Sequence, residues 1–167
     1  EQADAVAEAI RGMGRKALVV RADVSVEEEV TGMFHALDLE FGKLDILVNN
    51  AGTSQPKNIF EISLPEWDFI INTNLRSCFL CSKQAMEKMK LQRSGRIVNI
   101  SSITGHQGAL YGHVHYSATK SGILGFTKTL ARTAAPLGIT VNAVAPGIIE
   151  TELLHRCCRA FYRPGNM

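Results

Sequence analysis

Apolar residues follow two different periods along the chain, and their alternation predicts the fold class. Short apolar runs predict four strands, at 16–21, 44–48, 95–100 and 138–144. Longer stretches with apolar residues three or four positions apart predict four helices, at 1–13, 25–41, 63–91 and 116–134. Alternation of this kind is typical of a parallel sheet with helices on both faces. We therefore predict an α/β protein built on a doubly wound parallel sheet.

The ends of two helices carry recognisable capping residues. Ser25 followed by Glu28 has the capping-box pattern, and Gly42 is suited to end that helix in a left-handed conformation. Ser63 fits the N-cap of the next helix, and Pro65 fits its first turn. These residues predict where both helices begin and where the first one ends.

Composition and charge narrow the possible functions. The chain has 167 residues, of which 46% are hydrophobic and 20% charged, as expected of one globular domain. The net charge of +2 gives no reason to expect a nucleic-acid or membrane partner. No apolar run approaches the roughly 18 residues of a membrane-spanning helix, four cysteines are too few for a disulfide framework, and no histidine has metal-ligand spacing.

Both ends of the chain suggest a piece of a longer protein. The first residue is Glu1, inside a predicted helix, and the last residues run to Met167 without a finishing strand. We expect residues 1–154 to form a partial domain. The segment 155–167, which lacks acidic residues and a helical pattern, is expected to be a tail of different character.

Tyr116 and Lys120 are the first candidate for chemistry. Residues four apart lie on one helical face, so both side chains can reach one cleft. A nearby ammonium favours the phenolate and lowers the pKa of a tyrosine, which suits the tyrosine to acid–base catalysis. Taken alone, the pair is more often a chance neighbourhood of an aromatic residue and a lysine.

Further candidates follow the predicted strands, where ligands of open parallel sheets bind. Each also has an ordinary structural interpretation. Ser101 and Ser102 could orient a carbonyl group or form a turn. The segment 49–52 and the pair Pro146–Gly147 could admit a flat ligand or only turn the chain. Asn74, within a predicted helix, could serve the site or hydrogen-bond to the next strand.

Together these residues resemble the short-chain dehydrogenase/reductase superfamily over about residues 1–154. The motifs that carry the resemblance are Asp23–Val24, Asn49-Asn-Ala-Gly52, Asn74, Ser102, Tyr116-x-x-x-Lys120 and Pro146-Gly-Ile-Ile-x-Thr151. The segment Gly138-Ile-Thr-Val-Asn-Ala-Val-Ala-Pro-Gly147 is most similar to the 3-oxoacyl-[acyl-carrier-protein] reductase group. Sugar and steroid dehydrogenases share much of the same pattern.

The resemblance implies a role for each matching residue. Tyr116 would be the general acid or base, Lys120 its activator and a ligand of the nicotinamide ribose, and Ser102 the residue that orients the carbonyl. Asn74 would position a water in a proton relay through Lys120. The remaining cofactor contacts implied are Asp23, Val24, Asn50, Ala51, Gly52, Pro146, Gly147, Ile149 and Thr151. The local pattern Ser-Ser-Ile-Thr-Gly105 aligns the family serine with Ser102 rather than Ser101.

The same resemblance implies an incomplete Rossmann-like fold. The glycine-rich turn that holds the pyrophosphate is expected before residue 1, together with the rest of the first βαβ unit. A substrate lid and a last strand are expected after Leu154. The segment that distinguishes the two cofactors is not in the sequence, so both NAD and NADP remain, with the reductase likeness weakly favouring NADP.

Three functions from different classes remain open at this point. The resemblance favours a cytoplasmic NAD(P)-dependent oxidoreductase that interconverts a carbonyl and a secondary alcohol. Its substrate would be a small molecule, possibly one bound to an acyl-carrier protein. The alternatives are an inactive truncated fragment and a non-catalytic binding relative. The family also implies a homodimer or homotetramer of the complete protein, paired through the helix after Ser63 and the helix of Tyr116, with Phe79 or Phe126 facing the partner.

Overall fold

The computed structural model describes residues 2–110 and 112–150; Thr151 and the predicted tail lie outside them. The helices are α1 (Gln2–Gly12), α2 (Glu27–Phe41), α3 (Leu64–Ile71), α4 (Ser77–Gln92), α5 (Thr104–Gln107) and α6 (Val114–Ala134). The strands are β1 (Ile46–Asn49), β2 (Gly95–Ile100) and β3 (Ile139–Val144). A π-helical turn (Asn72–Arg76) joins α3 to α4, and a 3₁₀ turn (Ala135–Leu137) precedes β3.

The three strands form one parallel sheet in the order β1-β2-β3. Val48 is in register with Val98, and Val98 with Asn142, so the carboxyl ends of all three strands lie at the same edge. Each strand is connected to the next through a helix, as parallel pairing requires. The predicted α/β architecture with a parallel sheet is confirmed.

The core lies between one face of the sheet and helices α2, α4 and α6. Because side chains alternate along a strand, Leu47, Ile97 and Val141 share that face. The buried cluster includes Val30, Phe34, Leu44, Leu80, Cys81, Ala85, Met89, Ile97, Ala134, Ile139 and Val141. On the opposite face, Ile46, Val48 and Val144 are about half exposed among the described residues.

The predicted strand at 16–21 is wrong. No strand of the described sheet pairs with this segment, because β1 bonds only to β2. Leu18, Val19 and Val20 are each more than a third exposed. An apolar run becomes a strand only when a neighbouring strand satisfies its backbone groups, and among the described residues none does so here.

The predicted capping box of Ser25 and Glu28 is also wrong. Helix α2 begins at Glu27, and its N-cap residue Val26 makes no side-chain cap. The Ser25 hydroxyl donates instead to Asp23 Oδ1 at 2.7 Å, and Glu29 Oε2 accepts from the Asp23 backbone N–H at 2.6 Å. The Asp23 carboxylate thus takes the Ser25 hydroxyl that would cap the helix, and the glutamate that accepts a backbone N–H bond is Glu29, not Glu28. The end of the helix is as predicted: Gly42 has φ +70°.

The helix that begins after Ser63 follows its sequence signals at the start and departs from them in the middle. Ser63 and Glu66 form a capping box, and a proline lies in the first turn. The predicted continuous helix is interrupted by the π turn, in which the Ser77 backbone N–H bonds to the Asn72 carbonyl. Asn74 lies at the middle of this turn and is 1% exposed. Turns of this kind occur often at functional sites.

Two smaller differences concern the segment after β2. The predicted loop contains the short helix α5, and α6 begins at Val114, two residues before the predicted start. Within residues 2–110 and 112–150, no helix combines the length and the hydropathy needed to cross a membrane.

Candidate active site

The carboxyl ends of β2 and β3 are joined by backbone hydrogen bonds beyond the sheet. The Ser101 N–H donates to the Val144 carbonyl at 2.7 Å, and the Ile103 N–H donates to the Pro146 carbonyl at 2.9 Å. These bonds hold the segment that contains Ser102 against Pro146. The sheet edge therefore brings together two of the segments that the sequence singled out.

Tyr116 and Lys120 lie on one face of α6, as their spacing predicts. Lys120 Nζ is 5.5 Å from the centroid of the Tyr116 ring. Lys120 is only 5% exposed, and its ammonium donates to the Ile100 carbonyl at 2.8 Å. Burial lowers the pKa of Lys120 from its usual value. A buried, oriented cation beside a phenol can stabilise the phenolate that forms when the phenol gives up its proton.

Asn74 links the loop after β1 to α6. Its Oδ1 accepts from the Thr53 backbone N–H at 2.8 Å, and its Nδ2 donates to the Thr53 carbonyl at 2.8 Å. The same Nδ2 lies 3.2 Å from Thr119 Oγ1, on the residue before Lys120. All of these bonds go to a loop and a helix, not to a strand.

Gly52 leaves open the space between Asn74 and Lys120. A Cβ atom at this position would lie 3.2 Å from Asn74 Oδ1 and 3.7 Å from Lys120 Nζ. Any larger side chain would therefore crowd both groups. The structure thus brings Gly52, Asn74, Tyr116 and Lys120 into one neighbourhood.

The two adjacent serines have different surroundings. The Ser101 hydroxyl donates to the Lys120 backbone carbonyl at 2.8 Å. Ser102 Oγ accepts from the Thr104 backbone N–H at 3.2 Å and from Thr104 Oγ1 at 3.1 Å. A hydroxyl that accepts in this way keeps its own proton to donate. This geometry supports Ser102, not Ser101, as the serine that can orient a carbonyl.

A cavity of about 220 Å³ lies beside this neighbourhood. The candidate cofactor residues Val24, Asn50 and Ala51 are part of its lining, as is the candidate relay residue Asn74. Its wall also includes Cys78 and Cys81 of α4, both free thiols. Burial raises the pKa of each thiol to about 11, which leaves both thiols protonated and unreactive at neutral pH.

The remaining candidates are more dispersed. Asp23 is exposed, and its hydrogen bonds from Ser25 lower the pKa of its carboxyl. Gly147 and Ile149 are exposed beyond the end of β3. Thr151 lies outside the described residues. Among the residues described, no cluster of histidine, cysteine and acidic side chains could hold a metal ion.

Sequence reasoning missed a histidine beside the tyrosine. His113, the N-cap of α6, has φ +58°, and its ring packs edge-on against Tyr116 with centroids 6.0 Å apart. Its Nδ1 is 2.9 Å from Ser54 Oγ, in the loop after β1. His115 is fully buried, and its Nε2 is 3.4 Å from Gln55 Oε1. The only sequence signal was proximity to Tyr116, because Ser54 and Gln55 are about 60 residues away along the chain.

Comparison with known proteins decides the family. The profile described as short chain dehydrogenase matches residues 1–159. The chain belongs to the short chain dehydrogenase family. Its 3-oxoacyl-[acyl-carrier-protein] reductase relatives include one from Staphylococcus aureus (strain Mu50) that is 43% identical over 153 residues, which cover 92% of this chain and 62% of the relative. Another, from Aquifex aeolicus, is 45% identical over 154 residues, with the same coverages.

A solved structure of the family supports the same fold. It comes from Sinorhizobium meliloti 1021 and is described as a short-chain alcohol dehydrogenase. The two chains are 37% identical with a TM-score of 0.85, over 90% of this chain and 59% of the other. The chain thus spans about three fifths of the length of these short chain dehydrogenases.

Proposed function

We propose that the protein containing this chain is an NAD(P)-dependent oxidoreductase that interconverts a carbonyl and a secondary alcohol. The observation that carries the proposal is the buried Lys120 ammonium, 5.5 Å from the centroid of the Tyr116 ring. Burying an ammonium is costly, and a single carbonyl partner compensates for only part of that cost. A buried cation that is only partly compensated is expected where its charge takes part in catalysis or ligand binding.

In the direction of reduction, Tyr116 gives its phenolic proton to the substrate oxygen as the carbonyl carbon receives a hydride. The Lys120 ammonium stabilises the phenolate left behind, which is then reprotonated from solvent. Ser102 Oγ donates its proton in a hydrogen bond to the same substrate oxygen and holds the carbonyl in line. In oxidation, Tyr116 accepts the proton instead. A positioned acid of this kind contributes about 10²–10⁴-fold to the rate.

The nicotinamide supplies the hydride and accepts it back. Three observations fit such a group to these residues. Gly52 leaves backbone accessible beside Lys120 Nζ, Asn50 and Ala51 line the adjacent cavity, and Val24 gives that cavity an apolar wall. The cavity is smaller than the roughly 300–1,000 Å³ of pockets that enclose drug-sized ligands, so it suits only part of a dinucleotide. We favour NADP over NAD as the cofactor, on the likeness of this chain to 3-oxoacyl-[acyl-carrier-protein] reductases.

The substrate class proposed is a 3-oxoacyl thioester, as for the reductases that this chain resembles at 43–45% identity. A carrier protein that delivers the acyl group would then be the partner. The second candidate is a sugar or steroid alcohol, which the likeness to a short-chain alcohol dehydrogenase keeps in view.

The experiment is a substrate and cofactor panel with the full-length protein. A short 3-oxoacyl thioester, a ketosugar and a ketosteroid are each offered with NADPH and with NADH, and loss of reduced nicotinamide absorbance is followed. We expect turnover of the thioester with NADPH to exceed every other combination. Turnover of the sugar or steroid alone would favour the second candidate, and no turnover with any pair would contradict the proposal.

A further inference from the structure

Three consecutive residues at the end of β2 each hold helix α6. The Asn99 side chain donates from Nδ2 to Thr127 Oγ1 at 2.9 Å. The Ile100 carbonyl accepts from Lys120 Nζ at 2.8 Å. The Ser101 hydroxyl donates to the Lys120 carbonyl at 2.8 Å. The helix is therefore fastened to the strand at two points, one at Lys120 and one at Thr127.

Asn99 occupies a position where an apolar residue would be ordinary. It is fully buried on the core face of β2, the face that also carries Ile97. Its Oδ1 accepts from Asn49 Nδ2 at 2.8 Å and lies 3.4 Å from Cys78 Sγ. A buried amide costs free energy unless its groups are paired, and here both ends of the amide are paired. The amide thus links β1, β2, α4 and α6 behind the site.

Thr127 completes the second fastening point. It is 6% exposed, and its hydroxyl accepts from Asn99 while donating to the Ile123 carbonyl at 2.7 Å. Lys120 and Thr127 are seven positions apart, so the two points lie on one face about two turns apart. A rigid helix held at two such points has a defined tilt and cannot pivot about Lys120.

We propose that Asn99 and Thr127 are positioning residues that set the tilt of α6 and so the place of Tyr116 and Lys120 over the substrate. This inference rests on the proposed function and extends it to a pair outside the site. Displacements of about 1 Å at reacting groups can cost up to about 10²-fold in rate. The pair acts through α6, since neither side chain is among the groups proposed to touch substrate.

The test replaces Thr127 by valine in the full-length protein. Thr127→Val keeps the shape of the side chain and removes the hydroxyl that Asn99 uses. Thr133→Val is the matched control, because Thr133 is exposed on the same helix and its hydroxyl donates to the Thr129 carbonyl of that helix. Thr127→Ser restores the hydroxyl. Thr127→Cys, which nearly conserves the volume, covers the case in which the valine variant does not fold.

We expect kcat of Thr127→Val to fall about tenfold with KM for the carbonyl substrate nearly unchanged. The pH midpoint of the tyrosinate absorbance that Tyr116→Phe abolishes should move upward, since Lys120 no longer sits in its place. Thr127→Ser and Thr133→Val should keep wild-type values in both measurements.

Two results would overturn the inference. One is a Thr127→Val protein that loses stability but keeps kcat and the tyrosinate midpoint. The other is an equal effect in Thr133→Val. The tyrosinate titration needs no substrate, so it decides the positioning role even if the panel of substrates shows that the proposed function is wrong.

Discussion

The buried ammonium of Lys120 illustrates, for a single residue, how the fold offsets the cost of removing a charged group from water. Its ammonium is nearly removed from water, and burial lowers its pKa. The Ile100 carbonyl compensates part of the lost hydration, and the Tyr116 ring lies within reach of its field. Lys120 is therefore held as an oriented cation. Because it stays in place without the Tyr116 hydroxyl, we expect loss of that hydroxyl to slow proton transfer more than it weakens cofactor binding.

Tyr116→Phe removes the proposed acid and keeps the ring. We expect kcat for carbonyl reduction to fall by about 10²–10⁴-fold, because the proposed proton donor is removed. Cofactor affinity should change little, since the ring and Lys120 remain. Steady-state kinetics and calorimetric titration of the dinucleotide measure the two effects. Near-normal turnover would remove this mechanism.

The adjacent serines provide a matched pair. Ser102→Ala should lower kcat by about 10²–10³-fold, the usual cost of losing one donor to a developing oxyanion. Ser101→Ala removes the bond to the Lys120 carbonyl and should cost far less, because no proton to the substrate is lost. Parallel kinetics of the two variants decide between them. If the order of the two effects were reversed, Ser101 would be the orienting serine.

At the scale of elements, the start of α6 is joined to the loop after β1 by two histidines. His113 contacts Ser54, and His115 lies near Gln55. Burial lowers the pKa of both imidazoles, and His115 Nδ1 is buried with no hydrogen-bond partner among residues 2–110 and 112–150. Lys57 and Glu66, which are ion-paired, act on His115 in opposite directions. Both imidazoles are therefore neutral in the folded protein near pH 7.

This burial predicts a loss of stability in mild acid. A histidine whose folded pKa lies below its unfolded value of about 6.5 binds its proton more tightly in the unfolded chain. The free energy of unfolding should then be constant near neutral pH and fall as the pH drops below about 6.5. His115→Phe should flatten the decline, whereas His106→Gln, at an exposed histidine, should not. Urea unfolding between about pH 7.5 and about pH 5.5 checks this, and an unchanged decline in His115→Phe would contradict it.

Local signals predicted elements well where the partners are close in sequence. Ser63 forms its capping box with Glu66, three residues away, and Gly42 ends α2 because glycine adopts the left-handed conformation without strain. The strand expected at 16–21 failed because pairing depends on distant segments, and the box at Ser25 failed because Asp23 competed for the hydroxyl. The candidate site residues were identified through motifs. The contacts of Asn74 with Thr53 and of Lys120 with Ile100 could not be predicted, because contacts between residues that are distant along the chain leave no periodic pattern.

At the scale of the whole molecule, α4 presents a large aromatic side chain to solvent. Phe79 is 49% exposed on the helix that the family resemblance assigns to subunit pairing. In the full-length protein we expect Phe79→Glu to shift the assembly toward monomer, because a charge would be buried in an apolar interface. Leu39→Glu, at an exposed leucine of α2, is the control. Sedimentation velocity at micromolar concentration measures both, and a monomeric wild-type protein would contradict the expectation.

The π turn at Asn72–Arg76 carries a consequence for how this helix tolerates insertions and deletions. A π turn holds one residue more than the α-helical turn it replaces. Deleting one residue there would restore an ordinary helix, and the residues of α4 would keep their orientation toward the sheet. What would be lost is the bulge that presents Asn74 to Thr53. The extra residue thus serves the contacts that Asn74 makes with the loop after β1 and with Thr119 of α6, so we expect a one-residue deletion there to disturb the site more than the fold.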